Sequence, residues 1–550
     1  MHLSRTLISL GLSCLAGLSA SELLSSEDHG DLPAAEWAET LGTDPARLGD
    51  TFSTDGILRV LLIGAKEPTN IIWTGERAEL EIQIENLTDA AIAKKARVVV
   101  IAYETWTHDG TIFHYGVRRI AEVGAIDQPI SVPAKGVQHL RITPPIPAHN
   151  GGYAVVLEVE GHPHRFFITS VARTFKPVFE KRQFYKLTMD VSDPRVLHRL
   201  NAAPNRIGMS PRGLQDPDLE EHYQRHASEL RKFADAGLPI CIEFGHGAQF
   251  HGEMNPLGRN RPHLDDKGVM QGGVGDIAWQ PAYDEAFTVF VKRLLVEFGW
   301  PKGPVTAVKI WNEPWNGGSI AGWGADDERF REMTIAMDKG VRAARAEAGV
   351  QVLQGGADSS SNSLDKYFSD GSDTFTPMFD FLSLHYQGND PHTNWRAWRD
   401  RKGPDGKPNP VKFWDTESWV GNTDDRVASV LASMYSFGQD RAVGIQSNRT
   451  VAGWHDRDVI NPDGTKEERS IVHAFGPAAA VGAFQHLIGE RPFAKLLWRG
   501  LPFVMQFDAE TRGGKQDAED GTLVVLGDMS FYGADVVAFR TVRSHAEQEA

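Results

Sequence analysis

Thr306-Ala307-Val308-Lys309-Ile310-Trp311-Asn312-Glu313-Pro314-Trp315 holds an apolar run that stops at a glutamate wedged between asparagine and proline. The run predicts a strand over 306–311. Pro314 has no N–H to give a ladder, so the strand must end before it and Glu313 must project from its end. Trp311 and Trp315 are flat, apolar neighbours. Such neighbours raise a carboxyl pKa by desolvation and stack on sugar rings. Asn312 supplies an amide for a hydroxyl.

Outward from this strand, strands and helices alternate. Lys186–Asp190, Arg206–Met209, Ile240–Phe244, Gln351–Leu353, Phe381–Leu384 and Val411–Trp414 are short apolar segments. Helical periodicity predicts helices at about Leu219–Ala234, Tyr283–Phe298, Asp327–Ala348, Arg426–Phe437 and Ile471–Ile488, with Asp216-Pro217 starting the first and Gly237 following it. An eighth strand is placed at Thr450–Trp454. This alternation implies parallel strands joined by crossover helices. Eight of them predict an α/β fold, a (β/α)₈ TIM barrel over residues 180–490, whose active site lies at the C-terminal ends of the strands.

Before the barrel the pattern is β. Ala78-Glu79-Leu80-Glu81-Ile82-Gln83-Ile84-Glu85 alternates with period two, as a half-buried strand does. Leu58–Ile63, Val98–Ala102, His139–Ile142, Tyr153–Val159 and Arg165–Thr169 continue the series, predicting a β-sandwich over 56–175. Packing against the barrel is its expected role. Residues 491–550 read as short C-terminal β structure around Gly521–Asp528 and Asp535–Phe539. Residues 21–55 read as a linker. Residues 1–20, with His2 and Arg5 before the apolar Leu7–Leu18, read as a signal peptide, so the expected location is secreted or periplasmic. Gly11-Leu12-Ser13 is a poor lipidation context for Cys14, and no membrane attachment is expected once the signal is removed.

The 550 residues carry a formal net charge of −16, which argues against a nucleic-acid partner, since that role needs a basic footprint. Of two cysteines, only Cys241 remains after signal removal, so no intramolecular disulfide is possible. It sits in an apolar run and reads as a small buried hydrophobe.

A second carboxylate signal is Trp414-Asp415-Thr416-Glu417-Ser418-Trp419, after the predicted seventh strand. Asp415 and Glu417 point to one side by period two. Glu417 lies nearer the strand end and is preferred. Two carboxylates on the ends of different strands suit glycoside hydrolysis, in which one protonates the leaving oxygen and the other attacks the anomeric carbon or activates water. His246 and His251 lack a third ligand at a convincing spacing, so no metal is expected. No cofactor is needed, and the expected partner is a carbohydrate.

Trp311-Asn312-Glu313-Pro314 resembles the acid/base motif of clan A retaining glycoside hydrolases. Phe379-Asp380-Phe381-Leu382-Ser383-Leu384-His385-Tyr386 is similar to that clan's strand-six motif, and Gln354-Gly355-Gly356 resembles its strand five. The nearest type is family 39, the xylosidase and iduronidase-like enzymes. The resemblance covers about Tyr185 to Leu487. It implies Glu313 as acid/base on strand four and Glu417 as nucleophile on strand seven. Asn312 would bind the sugar 2-hydroxyl, and Tyr386 would hydrogen-bond Glu417 beside His385. His246 would contact the sugar at the cleavage site, and Trp315 and Trp454 would line it, Trp454 as the strand-eight platform. Ser418-Trp419 after the glutamate and a β region before the barrel depart from the type. Two rival functions stay open: a glycan-binding protein without catalysis, and a metal-dependent barrel hydrolase.

Overall fold

The computed structural model describes residues 51–107, 115–178, 182–209 (without 186 and 192), 219–245, 281–312, 327–359, 374–385, 412–418, 443–445 and most of 451–498, with short segments among 263–271, 402–407 and 503–542. The segments 1–50, 246–262, 313–326, 386–401 and 419–442 lie outside the described residues, and with them the expected signal, the Arg426–Phe437 helix and all but the end of the expected linker, whose Thr51–Phe52 is instead a strand beside Arg165–Phe166.

Between residues 187 and 445 lies one sheet with every neighbouring pair parallel. Its order runs Ala203–Pro204, Leu187–Met189, Val443–Ile445, Lys412–Ser418, Phe381–His385, Leu353–Ser359, Val305–Ile310, Ile240–Phe244, Ile207–Met209. The two outermost strands of this order, 203–204 and 207–209, are separated in the chain by only Asn205 and Arg206. Asn205 is fully buried. Its carboxamide accepts from the Thr188 hydroxyl at 3.2 Å and donates to the Thr416 carbonyl, so it links strands that stand apart in the sheet order.

The strands Ile240–Phe244 and Val305–Ile310 of this sheet are buried on both faces. Ile240, Ile242, Phe244, Val308 and Ile310 join one large apolar cluster with Leu230 and Phe233 of helix Leu219–Asp235, Phe287 and Leu294 of helix Asp284–Phe298, and Met333 and Met337 of helix Asp327–Ala348. The alternate residues Cys241, Ala307, Phe381 and Trp414 form a separate cluster on the opposite face. Near-continuous apolar runs are what two-sided burial demands.

The N-terminal β region has two main sheets and a short two-stranded one, Ile92–Lys94 with Ile130–Val132. One main sheet has Leu58–Ala65, Leu80–Asn86 and Val137–Ile142; the other is centred on Ala96–Thr107, Gly151–Val159 and Arg165–Thr174. Leu80, Ile82 and Ile84 of the first and Val98, Val155 and Leu157 of the second share one core. The alternate Val99, Ile101, Ala154 and Val156 cluster on the far side of the second sheet. There helix Gly476–Leu487 approaches so closely that a Cβ on Gly152 would meet the Gly476 Cα at 2.8 Å.

The hairpin Ala452–Ile460/Lys466–Ala474 joins the two regions. At its tip the Ile460 N–H donates to Gln83 at 2.8 Å, and Arg469 donates to the Ile63 carbonyl at 3.1 Å. Two expectations are corrected here. Strand Val443–Ile445 takes the place beside Leu187–Met189 that was assigned to Thr450–Trp454, because Trp454 pairs with Val472 in the hairpin. The helix expected from Ile471 starts only at Gly476, because Ile471 and Val472 are β-branched hairpin residues and Pro477 is tolerated only in a first helical turn.

Arg199, on helix Pro194–Leu200, pins the N-terminal region to the parallel sheet. It is nearly buried, donates to the Ile71 carbonyl at 2.8 Å, pairs with Glu76 and stacks 3.5 Å from the Trp73 ring centroid. Arg199→Ala should lower stability by about 1–3 kcal/mol, read by urea unfolding, since it takes a donor from the buried Ile71 carbonyl and a packing partner from Trp73. Burial pulls the Glu76 carboxyl up, but hydrogen bonds from Arg199 and the Trp73 N–H outweigh it and hold the pKa below the ordinary 4.5. The sign follows: this contact's contribution is complete above pH 4.5 and fades as pH falls below it. An acid titration of thermal stability should therefore show a smaller drop below pH 4.5 in Glu76→Gln than in the parent.

The C-terminal strands Phe493–Trp498, Phe503–Phe507, Thr522–Gly527 and Val537–Val542 form an antiparallel sheet. Among the described residues, no helix is long and apolar enough to cross a membrane.

Candidate active site at the C-terminal ends of the parallel strands

Strand Val305–Ile310 ends one residue earlier than expected, and the chain then turns sharply. Trp311 has φ +64°, a left-handed conformation that a bulky residue rarely adopts. The Trp311 N–H donates to the Phe244 carbonyl at 2.7 Å, and its indole is buried. Gly245, at φ +91° after the neighbouring strand, makes room: a Cβ there would come within 2.4 Å of Trp311 Cε3. Strained backbone of this kind persists only where packing over-determines it. Gly245→Ala should cost about 2–4 kcal/mol through strain and overpacking, read by denaturant unfolding, and should disturb the turn that carries Asn312 and Glu313.

Asn312 is buried, and its Oδ1 accepts from Arg206 Nη1 at 2.7 Å. Because a guanidinium only donates, the contacted atom must be the oxygen, which leaves the amide NH₂ on the other side. Arg206 also donates to Glu243 Oε2 at 3.1 Å, and the same oxygen receives Lys309 Nζ. Glu243 and Lys309 sit opposite each other in register on adjacent strands, both fully buried. Burial pulls Lys309 well below the usual lysine pKa, the Glu243 carboxylate pulls it back up, and Arg206 pushes it down again. Cys241, two residues along on the same face, is a buried thiol pushed up to about 12 by burial, which suits the hydrophobe expected of it.

Strand Lys412–Ser418 runs farther than expected and contains both Asp415 and Glu417. It also breaks the period-two count. Leu384 stands opposite Asp415, and the next residue, His385, stands opposite Glu417, so Thr416 is an extra residue. A bulge restarts the alternation one residue later. Asp415 therefore shares a register position with Leu384, and Glu417 with His385, in the row that follows Phe381–Lys412 and Ser383–Trp414. The side chains of Asp415 and Glu417 lie outside the described residues; the register shows only that a strict period-two count does not carry across Thr416. The Thr416 hydroxyl meets Ser383, and its carbonyl accepts from Asn205, whose NH₂ also donates to Asp190 at 3.0 Å.

Trp454 is half-buried, off the eighth strand, yet its indole N–H donates at 3.2 Å to Asp193, the residue that caps helix Pro194–Leu200 just past strand Leu187–Met189. It therefore stands beside the same edge of the sheet. Glu313, Trp315, His246 and Tyr386 lie outside the described residues, although the described strands stop within five residues of each. Among the described residues, no group of three or more His, Cys, Asp or Glu could hold a metal ion.

Asn205, Arg206, Glu243 and Lys309 went unnoticed in the sequence. The signal was there for two of them: Ile242-Glu243-Phe244 and Val308-Lys309-Ile310 each place one charge inside an apolar strand run. Charges that are buried must be paired.

No family model matches the chain, and no curated protein matches it. Among solved structures it is similar to a family 39 glycoside hydrolase from the gut symbiont Bacteroides cellulosilyticus WH2, at 12% identity over 86% of this chain and 90% of that one, with a TM-score of 0.49. It is also similar to Xyn30A, a family 30 subfamily 8 xylanase from Clostridium acetobutylicum, at 12% identity over 62% and 78% of the two chains, TM-score 0.38. A third is a conserved exported protein from Bacteroides fragilis, at 11% identity over 64% and 88%, TM-score 0.40. The relationship is distant in each case.

Proposed function

We propose that this protein is an exported glycoside hydrolase that cleaves poly- or oligosaccharide with net retention, Glu313 serving as acid/base and Glu417 as nucleophile. The observation that carries this reading is the bulge at Thr416. By register Glu417, not Asp415, stands opposite His385, and Asn312 follows the Trp311 turn at the end of strand Val305–Ile310 of the same sheet, which supports reading Glu313, the next residue, as its partner. The sheet is read as a closed (β/α)₈ barrel, in which 203–204 and 207–209 are two halves of one strand and Asn205 bridges across the interior. The N-terminal sheets are read as a β-sandwich over 56–175 and the barrel as 180–490, with residues 1–20 directing export.

In the first step Glu313 gives its proton to the glycosidic oxygen while the Glu417 carboxylate attacks the anomeric carbon; the bond to the leaving group breaks and a glycosyl ester forms. In the second, Glu313 takes a proton from water, the water oxygen bonds to the anomeric carbon and the ester bond breaks, freeing Glu417. Asn312 binds the 2-hydroxyl, Tyr386 and His385 support Glu417, and His246, Trp315 and Trp454 line the sugar site.

The test is hydrolysis of a panel of aryl glycosides and plant, algal and animal polysaccharides, with proton NMR of the first-formed anomer. Retention of configuration is expected. Inversion would overturn the mechanism, and the absence of hydrolysis across the panel would overturn the class.

A further inference from the structure

The dipeptide Asn205-Arg206, in the break between strands 203–204 and 207–209, reaches both strand ends that carry the proposed carboxylates. Asn205 donates to the carbonyl of Thr416, the peptide unit that leads directly into Glu417, and is itself held by Thr188, Asp190 and its own N–H on the Met189 carbonyl at 2.8 Å. Arg206 donates to Asn312, the residue before Glu313, and is held from below by Glu243, which Lys309 grips in turn.

We propose that Arg206 is a positioning residue that aims the Asn312 amide, within a segment that Asn205 ties to the neighbouring strands, and that the buried Glu243–Lys309 pair is the brace that holds Arg206 on Asn312. This rests on the glycosidase reading above for its consequence, though not for its geometry. Neither side chain has rotamer freedom to spare, since Asn205 is fully buried and Arg206 nearly so, each with partners on two sides. A guanidinium on Asn312 Oδ1 allows only one flip of that amide, the one that presents NH₂ as a donor. And a buried glutamate with two cationic partners is more than charge neutrality needs; Lys309 alone would satisfy it, so the second cation is there for its other contact.

The experiment has a structural arm and a kinetic arm. Crystal structures of Arg206→Lys and Glu243→Gln should show the Asn312 amide turned or Arg206 withdrawn from it in the glutamine variant. An unchanged Arg206–Asn312 contact in Glu243→Gln overturns the brace, whatever the activity. Kinetics then use the aryl glycoside that the parent enzyme cleaves fastest and its 2-deoxy analogue. Arg206→Met should lower kcat/KM on the glycoside by about 100-fold or more and on the 2-deoxy analogue by less than about threefold, because only the former uses the aimed amide. Arg206→Lys, which keeps one donor, should recover part of the loss. Equal losses on both substrates mean a merely structural role and overturn the proposal. Should the parent cleave no glycoside, the functional reading fails and the crystal structures still decide the brace.

Discussion

Replacing Glu417 with alanine should reduce turnover by about four to six orders of magnitude, the scale seen when a covalent nucleophile is removed from an otherwise intact site. Added azide should restore part of the rate and yield a glycosyl azide of the opposite anomeric configuration to the substrate, since azide then occupies the face that the carboxylate attacked from. Asp415→Ala is the control that gives the measurement its meaning. By the register across from Phe381–His385, Asp415 shares its row with Leu384 and should cost less than about tenfold. Reversal of these two results would place the nucleophile on the other side of the Thr416 bulge. Glu313→Ala should behave differently from both, keeping activity on aryl glycosides whose leaving groups need no proton.

Glu243→Leu should destabilise the protein by about 3–5 kcal/mol, because it strands the Lys309 ammonium beside the Arg206 guanidinium with no anion between them. Adding Lys309→Met should return most of that loss, since a pair of apolar residues of similar volume often replaces a buried ion pair at little cost. The pH dependence of the single variant has a definite sign. Burial already holds Lys309 below its ordinary 10.5, and loss of the carboxylate removes the main influence opposing that shift. The folded variant then carries fewer protons than the unfolded chain at neutral pH, so its stability should climb as pH rises towards 10.5. Chemical denaturation at pH 7 and pH 9.5 measures it. A variant whose stability falls over that interval would contradict the assignment of the charge to Lys309.

The parallel strands were legible because two-sided burial writes itself as short apolar runs. Ile240–Phe244 and helix Asp327–Ala348 occur with the bounds that their residues suggest. The strand at Leu353–Ser359 was harder, since Gly355 and Gly356 have little strand propensity. They sit there because the Phe381 and Phe379 rings fill the space that side chains would take. The hairpin was hidden for another reason. Ile471-Val472 runs straight into an alanine-rich helix, and nothing local tells a two-residue β-branched stretch that its partner lies about twenty residues back. At the site, the motif around Glu313 could be found because proline next to glutamate is a local signal. The Thr416 bulge could not, because register is a property of two strands. The buried network of Asn205, Arg206, Glu243 and Lys309 is non-local in the same way: each residue is ordinary alone, and only the fold sets them within reach of one another.

The hairpin Ala452–Ile460/Lys466–Ala474 has a further bearing on how this molecule can vary. One end holds Trp454 against Asp193, just past strand Leu187–Met189 of the parallel sheet, and the other is tied to Gln83 and Ile63 of the N-terminal sheets. A lineage that exchanged those sheets for another module would lose the anchor of its own rim in the same event. The N-terminal and parallel-sheet regions are thus expected to be inherited as a unit, and engineered chimaeras should carry the crossover outside residues 58–474 to keep the rim in place.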